Sequence, residues 1–166
     1  ATSKTMVLEG ISGTGKTSLA YAMGKFFNRD ASIISVQPSW RDRGEMLGYF
    51  NEFTKRFNET EFLKSLYDAN YRDDINFIVL DEMNLARVEY YFADFLSVLE
   101  YPVEERKLKI MQFPYGFVPP AKLEDGYLQI PANCFFVGTA NKDDSTFTIT
   151  DKVYDRAITI DFDNRN

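Results

Sequence analysis

The residues Gly10-Ile11-Ser12-Gly13-Thr14-Gly15-Lys16-Thr17 have the types and spacing needed to hold a phosphate. They fit the pattern of a glycine, four free positions and Gly-Lys-Ser/Thr. Glycines let successive backbone N–H groups curl round an oxyanion with no side chain in the way. A helix starting after the loop adds the partial positive charge of its first turn. Lys16 supplies a mobile ammonium for β- and γ-phosphate oxygens, and Thr17 a hydroxyl ligand for Mg2+. Gly10, Ile11, Ser12, Gly13, Thr14, Gly15, Lys16, Thr17 and Ser18 are therefore the candidate nucleotide-binding residues. A glycine-rich turn with an incidental lysine is the plainer alternative.

A second cluster is Asp81-Glu82, which ends the apolar run Asn76-Phe77-Ile78-Val79-Leu80. Two consecutive acids at the carboxyl end of a buried strand are costly unless a cation or a water chain uses them. Asp81 is the candidate Mg2+ ligand, and Glu82 is placed to polarise an attacking water. An acidic turn that merely ends the strand is the alternative.

The elements that must position these groups follow from periodicity. Residues 5–9 read as a first strand and 17–28 as an amphipathic helix. A second strand spans 32–36, and 43–58 read as a short helix plus a loop. Thr60 can cap a helix over 61–70. Residues 76–80 read as a central parallel strand, and 88–100 as one strongly amphipathic helix. Between 108 and 130, two alternating stretches flank a Pro- and Gly-rich piece, which predicts a β-hairpin. A fourth strand over 134–138, a short helix near 151–156 and a fifth strand over 157–160 complete the chain. Strands alternating with helices imply a parallel sheet covered on both faces.

Composition narrows the chemistry. The chain has 166 residues, 45% hydrophobic and 16% aromatic, enough for one domain with a full core. It contains no histidine, which removes Ser-His and Cys-His catalysis and histidine-bound zinc. A net charge of -6 argues against gripping nucleic acid unaided. No apolar run approaches the roughly 20 residues of a membrane span, and no secretory signal is evident. Cys134 stands alone among apolar residues and reads as a core thiol in a reducing cytoplasm.

The order of the loop at 10–17, Asp81-Glu82-Met83-Asn84, Asn141 and Arg156 resembles the AAA+ ATPases. More narrowly, it is similar to the branch that holds the MoxR, midasin and dynein modules and the GTPase subunit of the modified-cytosine restriction system (McrB). Asp-Glu-Met-Asn-Leu-Ala-Arg at 81–87 is the most specific part, and Gly138-Thr139-Ala140-Asn141 is also similar. The resemblance implies a three-layer α/β/α P-loop NTPase core with a five-stranded parallel sheet and a β-hairpin insertion. It implies that Asn141 senses the γ-phosphate or the attacking water, and an amide can hold water without titrating. Arg156 would be an arginine finger reaching the neighbouring subunit's site in a hexameric ring that works on an unknown protein or DNA-linked partner. Asn84 and Arg87 match motif positions, with a structural cap and an intersubunit contact both open.

In this branch an insertion at 37–58 faces the ring pore, so Trp40, Arg41, Tyr49 and Phe50 are candidates for partner contact. Core packing is the competing reading for these aromatics. AAA+ modules normally continue into a helical lid, so 1–166 is expected to be the large α/β subdomain alone. Asn141-Lys142-Asp143-Asp144 also fits the guanine-reading Asn-Lys-x-Asp of Ras-like GTPases. Asp81-Glu82-Met83-Asn84 lacks the glycine that such proteins carry after the third strand. ATP is therefore the expected nucleotide, with GTP second.

Overall fold

The computed structural model describes residues 5–10, 31–142, 146–155 and 157–161. The first elements are β1 (Thr5–Gly10), β2 (Ser32–Ser35), α1 (Arg43–Leu47), β3 (Tyr49–Asn51), β4 (Arg56–Asn58), α2 (Glu61–Ala69) and β5 (Asn76–Asp81). Then come α3 (Val88–Tyr91), α4 (Ala93–Leu99), β6 (Lys107–Lys109), β7 (Leu123–Glu124), β8 (Tyr127–Gln129), β9 (Cys134–Asn141), α5 (Asp151–Tyr154) and β10 (Ile158–Asp161). The helix expected over 17–28 lies outside the described residues.

Five strands form one parallel sheet in the order β10-β1-β9-β5-β2. From β1 the chain passes to β2 at one edge, whereas β9 leads to β10 at the other. The crevice between β1 and β9 is therefore a topological switch point, where open α/β sheets bind ligands at their carboxyl ends.

The unbroken apolar run of β5 serves both faces of the sheet. Phe77 and Val79 pack with Leu8 and Val137, while Ile78 and Leu80 join Val7 and Phe136 in the larger core. On that second face α2 and α4 bring Phe62 and Phe95 together edge to face, at 5.4 Å. Phe95 meets Phe136 of β9 in the same way at 4.7 Å. Cys134 is fully buried at the start of β9, as expected of a core thiol. Among the described residues, no helix is long and apolar enough to cross a membrane.

Helix α2 begins as its sequence predicts, with Thr60 Oγ1 accepting from the Leu63 N–H at 3.2 Å. The expected helix over 88–100 is instead α3 and α4, joined at Phe92 (φ -116°, ψ -17°). The buried Phe92 ring there stacks on Phe95 at 5.3 Å, so aromatic packing outweighs a straight helix axis. The loop expected after α1 is the antiparallel hairpin β3–β4. Its turn is built by Asn51, whose side chain accepts from the Phe53 and Thr54 N–H groups. Strands of three residues are too short for their alternation to register in a sequence window.

The insertion expected at 108–130 is a three-stranded antiparallel sheet, β6-β8-β7. Of the aromatics at 37–58, Trp40 packs edge-on against Tyr91 at 5.1 Å, whereas Phe53 is 99% exposed at the hairpin tip.

Replacing Phe95 by Ala should lower unfolding free energy by about 3–5 kcal/mol in a urea titration, because the lost ring leaves a cavity among Phe62, Phe92 and Phe136. Phe53→Ala, at an exposed tip, should stay within about 0.5 kcal/mol of wild type in the same titration.

Candidate active site

Strands β1, β9 and β5 end at one edge of the sheet. The register sets Gly10 beside Asn141 and Leu80 beside Gly138. Gly10 at the end of β1, the acids at the end of β5 and the amide ending β9 are gathered there by strand pairing alone. Residues 11–18, with Lys16 and Thr17, lie outside the described residues. So do Arg156, Asp143 and Asp144.

Asp81, half-buried, and Glu82, exposed, are both tied to β9. Thr139 Oγ1 donates to Asp81 Oδ1 at 2.8 Å and accepts from the Glu82 N–H at 2.8 Å. Asn141 Nδ2 donates to Glu82 Oε1 at 3.2 Å. Glu82 occupies the left-handed region, with φ 54° and ψ 50°. For a residue with a Cβ this conformation costs on the order of 1–2 kcal/mol. The Thr139 bond offsets it, as does the bond from the Leu85 N–H to the Glu82 carbonyl at 3.1 Å.

Asn84 holds the opposite side of the turn. Its side chain donates to the Asn141 carbonyl at 2.6 Å and accepts from the Asn141 N–H at 3.1 Å, as a neighbouring strand would. It also donates to the Phe147 carbonyl at 3.2 Å, while the Phe147 N–H donates to the Asn84 carbonyl at 2.9 Å. Asn84 is 4% exposed, so of the two roles left open for it the structure gives a local one, joining three segments. Arg87 turns elsewhere: its guanidinium lies over Phe147 at 4.6 Å and near Glu89 at 4.0 Å.

Below the turn, the Tyr91 hydroxyl donates to the Met83 carbonyl at 2.5 Å. Burial, with a smaller push from the Glu89 carboxylate, raises this phenol above its ordinary pKa and keeps it a donor. On the other side, Tyr154 OH donates to the buried carboxylate of Glu9 in β1. A polar cleft of about 360 Å³ opens here, lined by Glu9, Asn84, Asn141, Lys142 and Tyr154 among others. A larger apolar groove of about 430 Å³ lies between α2 and residues 110–123, and none of the site acids lines it.

The donor set suits Mg2+. Asp81 and Glu82 offer hard carboxylate oxygens, and Mg2+ takes one or two of these and completes its shell with water and phosphate. Among the described residues no group of three or more His, Cys, Asp or Glu converges, so a closed protein cage is not formed there.

Thr139, Glu9 and Tyr154 were not singled out by sequence reasoning. The signal available was a polar residue inside an otherwise apolar strand. Thr139 interrupts the apolar and small residues of β9, and Glu9 those of β1.

No protein-family model matches the chain, and no curated protein matches it. Among solved structures, a candidate ATPase from Cytophaga hutchinsonii matches with a TM-score of 0.54 at 17% identity, over 94% of this chain and 41% of that one. The chain thus spans less than half the length of that structure. A likeness at this identity carries the fold alone. Strand order and likeness together give the chain an α/β fold built on one five-stranded parallel sheet, alike to that candidate ATPase.

Asn84→Ala should cost about 2–3 kcal/mol in denaturant unfolding, since it strands buried backbone groups of Asn141 and Phe147.

Proposed function

We propose that this chain is the large α/β subdomain of an AAA+ nucleoside triphosphatase that hydrolyses Mg-ATP within a ring, a hexamer, to remodel a protein or DNA-linked partner. One observation carries the reading: the Glu82 carboxylate and the Asn141 amide meet at 3.2 Å, with Asp81 beside them, at the edge where β1 ends at Gly10. A carboxylate paired with a non-titrating amide is the equipment for orienting a water and taking its proton. The candidate ATPase from Cytophaga hutchinsonii, alike in fold, points the same way.

In this reading Asp81 and Thr17 hold Mg2+, which when bound neutralises charge on the β- and γ-phosphate oxygens. Glu82 accepts the proton of the attacking water, and Asn141 fixes where that water sits. Lys16 and the backbone of residues 10–18 cradle the phosphates. Arg156 of a neighbouring subunit stabilises the charge that develops on transfer.

ATP is the favoured nucleotide; GTP, which the McrB-type motors that the sequence resembles use, is the second. In this reading Asn141 works at the γ-phosphate beside Glu82, away from the base, so the match of Asn141-Lys142-Asp143-Asp144 to the guanine motif is read as coincidence.

Glu82→Gln should lower turnover by about 100- to 10,000-fold while nucleotide stays bound. ATP and GTP hydrolysis measured side by side on the wild type assigns the base. A wild type that binds nucleotide, hydrolyses neither and is unaltered by Glu82→Gln is a nucleotide-dependent scaffold, and the enzymatic reading then fails.

A further inference from the structure

We infer that Thr139 is a positioning residue whose single buried hydroxyl sets the direction of both site acids. The inference rests on the reading of Asp81 as metal ligand and Glu82 as water-activating base. Thr139 is 1% exposed within β9, a strand otherwise of apolar and small residues up to Asn141. Valine would fill the same space without burying a polar atom, so the hydroxyl calls for a partner.

It has two partners, of opposite sense. The oxygen gives its one proton to Asp81 Oδ1 at 2.8 Å and accepts the Glu82 N–H at 2.8 Å. Because the acids are consecutive, the carboxylate of one and the backbone of the next are pinned to the same atom. Asp81 can rotate only by breaking the first bond. Glu82 can relax from its left-handed backbone only by breaking the second.

Two residues further along β9, Asn141 holds the Glu82 carboxylate at 3.2 Å. Strand β9 therefore grips Glu82 at its backbone and at its carboxylate. Neighbouring Gly138 keeps the distance short: a Cβ there would overlap the Met83 side chain. Fixing charged groups before substrate arrives acts on the rate of the chemical step more than on affinity.

The test compares Thr139→Val and Thr139→Ser in the intact protein. Valine should lower kcat about 10- to 100-fold, the effect of losing a hydrogen bond to a charged group, and change nucleotide KM less than about threefold. It should also raise the Mg2+ concentration needed for half-maximal turnover. Serine keeps the hydroxyl and should return both quantities to within about threefold of wild type.

A merely structural threonine would shift Tm without moving the Mg2+ dependence of the folded protein. Should valine prevent folding, the Thr139→Ser and Thr139→Ala pair, differing only in the hydroxyl, is read the same way. Wild-type kcat and Mg2+ dependence in the valine variant, with Glu82→Gln still trapping nucleotide, overturns this inference alone. A wild type with no Mg2+-dependent nucleotide binding overturns the underlying reading and this inference with it.

Discussion

The site depends on two consecutive carboxylates standing at the end of a fully buried strand without disrupting it. Strand β5 is dry on both faces through Leu80, and the next residues carry negative charge. Asp81 is half-buried and Glu82 exposed, so solvent still meets the charge while fixed donors set its direction. The donors come from β9, through the Thr139 hydroxyl and the Asn141 amide, so β5 presents the acids and β9 orients them. Parallel pairing makes this division of labour available, because it brings all carboxyl ends to one edge.

Behind the acids, packing supports geometry. Met83 follows Glu82 and fills the space above Gly138, and its carbonyl is held by Tyr91 from α3. Trp40 packs on Tyr91 at 5.1 Å, which links the segment after β2 to the same turn. A turn held in the left-handed region needs such over-determination. The strain at Glu82 persists because relaxing it would break bonds to β9 and also lift Met83 out of a filled cavity. Buried aromatics here are thus support for the site as well as core.

Much of this was legible in the sequence. The five strands, the cap at Thr60 and the insertion near 108–130 appear where composition and periodicity put them. The long apolar run of β5 announced a strand buried on both faces, and the two faces are indeed separate clusters. The meeting of Asp81, Glu82 and Asn141 at one edge follows from strands ending at those residues, which the apolar runs already marked.

What could not be read falls into two kinds. Hairpin β3–β4 has three-residue strands, shorter than any reliable period, and the break at Phe92 is decided by tertiary stacking on Phe95. The roles of Thr139 and Asn84 depend on distances across 57 or 58 residues of chain, which no local pattern encodes.

The two small antiparallel sheets bear on how the molecule is divided. Neither shares a strand with the parallel sheet, and neither contributes a residue to the bonds around Glu82. Their exposed apolar residues, Phe53 on one and Tyr115 and Val118 beside the other, lie outside the core. The site is therefore built by strand order and three polar side chains, Thr139, Asn141 and Asn84. Leu108 of β6 and Leu128 of β8 are buried in the main core, so that sheet supports the fold without touching Glu82. Separation of this kind lets one sheet edge keep its chemistry fixed while the surface around it changes.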